Sequence, residues 1–152
     1  MNKYRWLVPV SILAISALNT AMVFAGDQSA EDWYRDSYAP LWEDPTAENM
    51  NAAIAHYAEM LNYHAADGSF EVAKNSEWMQ SAIDSWAEEA WVSSKMTELK
   101  TKKVNDSTYV MISKWQDTYD GADDSFSCGW YLVGKTEVGW RITTFADYAC
   151  KD

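Results

Sequence analysis

Apolar and polar positions alternate most clearly in the last third of the chain. Strand-forming residues crowd three runs there, Lys103 to Trp115, Phe126 to Val133 and Gly139 to Ala146. Asn-Asp, Asp-Gly and glycine-bearing gaps separate them, so the region reads as strands joined by tight turns. A polar strand from about Val92 to Val104 precedes them. Its Lys100, Lys102 and Lys103 are the densest positive charge in the chain, which suits a solvated sheet edge. Asn105-Asp106 is expected to turn that strand back as a two-residue hairpin.

Ahead of the strands the spacing changes to a helical one. Ser29 is placed to cap a first helix, whose aromatic stripe is Trp33, Tyr34, Tyr38, Leu41 and Trp42. Pro40 is expected to end or kink it. Asp44-Pro45 has the form of a second helix start. Met50, Ile54, Tyr57, Leu61 and His64 then recur at helical spacing, which predicts one helix to about His64 with these residues on its buried face. Ala66-Asp67-Gly68 stops it, and Ser69 to Ala73 alternates like a short strand. Ser76 can cap a third helix with Trp78, Met79, Ala82, Ile83, Trp86 and Ala90 along one side.

The first 25 residues differ in kind. Lys3 and Arg5 precede an apolar run from Leu7 to Leu18, and Val23-Phe24-Ala25 offers small residues where a signal peptidase reads. The expectation is a signal peptide over 1–25, cleaved after Ala25, and a single domain over 26–152 that is secreted or periplasmic. The competing reading is an uncleaved anchor, for which Trp6 to Ala25 is short. Cleavage would remove Lys3 and Arg5 and no acidic residue, taking the net charge from −11 to −13. A chain this acidic repels phosphate backbones and anionic lipid, so neither nucleic acid nor, after cleavage, a membrane is an expected partner.

Two cysteines, Cys128 and Cys150, form an even pair suited to an oxidising compartment. A regular register about Glu137 would set Cys128 near Phe145, several residues short of Cys150, so a bond needs a bulge or a bent tail; bonded and free remain open. Two cysteines without a nearby histidine make no zinc site. The aspartates from Asp117 to Asp124 lack the distal glutamate of an EF-hand loop and read as a solvated hairpin loop. No metal and no cofactor are expected.

The order of elements, three helices with a short strand before the third and then four long strands, resembles the NTF2-like superfamily, which includes SnoaL-like cyclases and ketosteroid isomerase. Tyr63 to Glu71 is similar to the superfamily's aromatic-x-Ala-Asp-Gly segment, and Gly139-Trp140-Arg141-Ile142 to the opening of its final strand. The resemblance implies an α+β cone, three N-terminal helices packed on a curved antiparallel sheet, with a pocket at its open end. Apolar walls with few polar groups suit a small apolar or aromatic ligand. Tyr38, Tyr57, Trp86, Trp115 and Trp130 are the side chains expected to bind it.

The same resemblance puts Val72 where isomerase members carry their catalytic carboxylate, so that mechanism does not transfer. Glu71, next to it, would point to the opposite face of the strand. His64, extending the apolar stripe, and Asp67, three residues on, are the remaining acid–base candidates: a buried base and the carboxylate that fixes its tautomer. The plainer alternative is a core histidine bonded to a turn-capping carboxylate. Three functional readings stay open: a non-catalytic ligand-binding domain, an acid–base enzyme (dehydratase, cyclase or hydrolase) using His64 and Asp67, and an assembly module that forms homodimers through its sheet.

Overall fold

The computed structural model describes residues 28–150; the proposed signal peptide and its cleavage site lie outside them. The first helical segment is α1 (Ala30–Trp33), a π-helical turn (Tyr34–Tyr38) and α2 (Pro40–Glu43). Ser29 caps it as its spacing suggests, its hydroxyl accepting from the Asp32 N–H. The π-turn is closed by the Ala39 N–H donating to the Tyr34 carbonyl at 2.9 Å. The next residue, Pro40, has no N–H to continue the ladder and instead starts α2. The wider turn leaves Trp33, Tyr34, Tyr38, Ala39 and Trp42 all buried.

Helix α3 covers only Ala47–Ile54, capped by Thr46 rather than by Asp44. Its expected continuation to His64 is instead β1 (Tyr57–His64). The two periods are degenerate here. Tyr57 and Leu61, four apart, share a face in a helix and in a strand alike; His64, three beyond Leu61, does so only in a helix. The strand therefore buries Tyr57 and Leu61 and exposes His64.

A turn with Gly68 at φ +87° leads to β2 (Phe70–Lys74), and α4 (Asn75–Glu88) follows. The remaining strands are β3 (Trp91–Asn105), β4 (Thr108–Tyr119), β5 (Ser125–Thr136) and β6 (Gly139–Tyr148). The β3–β4 loop is Asp106-Ser107, one residue later than expected, because Asn105 pairs with Thr108 and its side chain accepts from the Ser107 N–H.

The six strands form one sheet in the order β2-β1-β6-β5-β4-β3. It is mixed, not antiparallel throughout: β1 runs parallel to β6 while every other neighbouring pair is antiparallel. One face carries Met111, Ser113 and Trp115 of β4 with Tyr131 and Val133 of β5, all buried beneath the helices.

The β5–β6 register settles the cysteines. Its turn centres between Glu137 and Val138, and a bulge between Leu132 and Val133 adds one residue on β6. Cys128 thus pairs with Tyr148 rather than with Phe145, which brings Cys150 within reach. The two cysteines form a disulfide with Cα atoms 5.3 Å apart.

His56, between α3 and β1, packs edge-on against Trp33 and Tyr38, and its Nδ1 is buried without a hydrogen-bond partner among the described residues. Burial, with the nearby Arg141 charge adding to it, lowers its pKa from 6.5 to about 4. Above pH 6.5 neither the folded nor the unfolded chain holds this proton. Between 6.5 and 4 only the unfolded chain takes it up, so stability falls as pH falls through that window. The loss is about 2 kcal/mol once partial solvent screening is allowed for. His56→Phe should flatten that part of the stability profile in denaturant melts; an unaltered slope would assign it to other groups.

Candidate functional site

A cavity of about 560 Å³ opens between α4, the C-terminal end of the first helical segment and the buried face of the sheet. Strand alternation determines which side chains reach it. Along β4, Met111, Ser113, Trp115 and Asp117 fall two apart and are all buried, so Asp117 follows Trp115 onto the inner face. Along β6 the same rule carries Phe145 and Asp147 inward, and along β5 it carries Gly129 and Tyr131. Gly129 is required by packing, since a Cβ there would sit 2.6 Å from the Tyr131 hydroxyl. Tyr63 joins from β1 and Glu71 from β2.

The walls are aromatic. Trp42, Trp86 and Trp91 form one group, with ring centroids 5.1–6.4 Å apart. Tyr63, Trp78 and Phe145 form another, at 5.5–5.6 Å. Below them the phenols of Tyr38 and Tyr57 share a hydrogen bond of 2.5 Å. Burial raises the pKa of both well above the ordinary tyrosine value, so each stays a neutral donor. The Trp115 Nε1–H donates to Ser113 Oγ at 2.7 Å, and that hydroxyl also meets the Tyr34 phenol at 3.2 Å.

Two carboxylates stand in this aromatic setting. Asp117 is 5% exposed; its Oδ1 accepts from the Ser94 hydroxyl, and Ser94 Oγ in turn accepts from the Trp91 indole at 3.0 Å. Asp147 accepts from the Tyr63 hydroxyl at 2.6 Å. Burial pushes the Asp147 carboxyl above its ordinary pKa; the Tyr63 hydrogen bond opposes this and the Asp117 charge adds to it. The disulfide closes one side, with both cysteines and Tyr148 at the cavity.

Of the side chains expected from the sequence, Tyr38, Tyr57, Trp86 and Trp115 line this cavity. Trp130 does not: it alternates with Tyr131 on β5 and lies on the other face of the sheet. His64 and Asp67 do not either. His64 is exposed, its ring 4.6 Å from Phe70, because a strand turns it away from Leu61. Asp67 is exposed in the β1–β2 turn, where its Oδ1 accepts from the Ser69 N–H. That bond holds its carboxyl below the usual range, and no hydrogen bond joins it to the His64 ring it was expected to orient, among the described residues. Val72 is half exposed, and Glu71 is the β2 residue that faces the cavity. Asp117 was missed because the acidic run from Asp117 to Asp124 reads as a loop, whereas β4 extends to Tyr119; its two-residue spacing from Trp115 was the available signal.

Comparison with known proteins adds a fold and little else. No protein-family model matches the chain, and no curated protein matches it. Solved structures do. One is an NTF2-like protein of unknown function from Shewanella oneidensis, 18% identical, covering 78% of this chain and 88% of its own, with a TM-score of 0.56. Another is a domain of unknown function with a cystatin-like fold from Nostoc punctiforme, 17% identical over 84% of this chain and 80% of that one, TM-score 0.59. A third, from Xanthomonas campestris and provisionally named a polyketide cyclase, is 13% identical over 68% and 79%, with a TM-score of 0.50. The mixed six-stranded sheet, the helices packed on one of its faces and these structural relatives agree: the chain has the NTF2-like fold.

Proposed function

We propose that this protein binds a small molecule with an apolar or aromatic body in the cavity between α4 and the sheet. One observation carries the reading: a space of about 560 Å³ is walled by aromatic side chains from both the helices and the sheet. Ligand sites span about 300–1,000 Å³ and are mostly apolar with a few placed polar groups. The test is a tryptophan-fluorescence titration against a panel of small aromatic compounds. A saturable change that disappears in Trp86→Ala supports the reading. The absence of any saturable response across the panel would count against a binding site.

A catalytic reading has one specific observation in its favour, and it does not involve His64. Asp147, with its raised pKa, and the Tyr63 hydroxyl bonded to it pair a carboxyl with a phenol at the cavity wall, a pairing suited to general acid–base work. Turnover of a bound compound that is lost in Asp147→Asn would promote this reading. Binding without turnover would leave the protein a binding domain.

The site is proposed to operate outside the cytoplasm, after export and cleavage following Ala25. The charge and apolar pattern of residues 1–25 supports this, as does a disulfide, which persists in oxidising compartments. N-terminal sequencing of the processed protein should begin at Gly26; an uncut protein with reduced thiols would refute it.

A further inference from the structure

The charge lining the cavity is of one sign. Glu71, Glu89, Asp117 and Asp147 face it, and no lysine, arginine or histidine does among the described residues. Asp117 and Asp147 are the informative pair. Asp117 is 5% exposed, and neither carboxylate has a cation within ion-pair distance among the described residues. Each accepts one side-chain hydrogen bond, from Ser94 and from Tyr63, which leaves acceptor capacity on both carboxylates. Burying a carboxylate without a counter-charge is costly, and a cation arriving beside it offsets that cost.

The aromatic groups point the same way. A cation over the face of a tryptophan, tyrosine or phenylalanine ring is attracted by the negative face of the π-system, most strongly at tryptophan and away from water. Here Trp42, Trp86 and Trp91 stand together on one side of the cavity, and Trp91 is joined to Asp117 through Ser94. A bare metal ion does not fit the arrangement. No three carboxylate, histidine or cysteine groups converge to hold one among the described residues.

We infer that the ligand is an organic cation, an ammonium or quaternary ammonium group on an apolar or aromatic body, whose charge sits between the tryptophan cluster and the Asp117–Asp147 pair. The inference rests on the cavity being a ligand site, and it adds the sign of the ligand's charge. A neutral aromatic molecule would fill the same volume and leave both carboxylates uncompensated.

The experiment compares two probes of one shape, benzyltrimethylammonium and its uncharged carbon isostere neopentylbenzene, titrated against the processed protein by tryptophan fluorescence. The cation should bind at least about tenfold more tightly, the scale of a desolvated cation–π contact. Asp147→Asn, which keeps the side chain's shape, should reduce the ratio of the two affinities at least about fivefold, with its fold checked by circular dichroism. If that variant fails to fold, Glu89→Gln, at an exposed position on the cavity rim, must lower the same ratio. Equal affinities overturn the cationic ligand and leave the binding cavity standing. Binding of neither probe overturns the cationic ligand, and the panel of neutral aromatics then decides the cavity separately.

Discussion

Tyr38→Ala should cost about 3–5 kcal/mol of folding free energy, the range for removing a large aromatic side chain from a packed core. Tyr38 is 1% exposed. Its ring lies 4.8–6.4 Å from those of Tyr34, Tyr57, Trp115 and Tyr131, so it joins the π-turn to β1, β4 and β5 at once. No single neighbour can relax into the space without leaving another contact. Tyr38→Phe keeps the ring and removes only the partner of the Tyr57 hydroxyl, so it should cost about 1–2 kcal/mol. Urea or guanidinium unfolding of the pair separates packing from hydrogen bonding. A loss of under about 1 kcal/mol for the alanine variant would show that Tyr38 is not the joint described here.

Reducing the Cys128–Cys150 bond should lower stability by about 2–4 kcal/mol, as expected for a bridge of this span. For a chain of this size that is a fall in melting temperature on the order of 10 °C. The bond closes a loop that contains the β5–β6 hairpin and its turn, and it pins the residues after β6 that form one side of the cavity. Scanning calorimetry with and without reductant measures the effect, and a Cys128→Ser, Cys150→Ser double variant should match the reduced protein and ignore the reductant. An equal melting temperature in all three would mean that the hairpin register alone holds the chain end in place.

The readable parts of this chain are those where one period excludes the other. Met111, Ser113 and Trp115 alternate over β4, where every second residue is buried, and Trp78, Met79 and Ile83 fall on one side of α4. At Tyr57 and Leu61 a four-residue spacing satisfies both periods, and the pairing of β1 with β2 and with β6 decides in favour of a strand; Tyr57 itself pairs with β6 alone. That pairing joins residues some eighty positions apart, for which local pattern carries no information. The site suffered from the same ambiguity. Reading Tyr57 to His64 as a helix put His64 inside, and reading Asp117 as loop put it outside; both are reversed by strand alternation. Tyr38, Tyr57, Trp86 and Trp115 reach the cavity, whereas Trp130 is carried to the opposite face by the same alternation.

The parallel pairing of β1 with β6 also bears on how the molecule is made. In the sheet β1 has two neighbours, β2 and β6, and β6 is the last of the described strands to leave the ribosome or a translocation channel. Until it does, β1 and β2 are a two-stranded hairpin that packs on α4 but is cut off from the rest of the sheet. The wall holding Phe145 and Asp147 is absent at that stage, and Cys128 has no partner. A nascent chain stopped before β6 therefore holds the aromatic groups of the helices and of β3 but lacks the Phe145–Asp147 wall and the disulfide that complete the cavity.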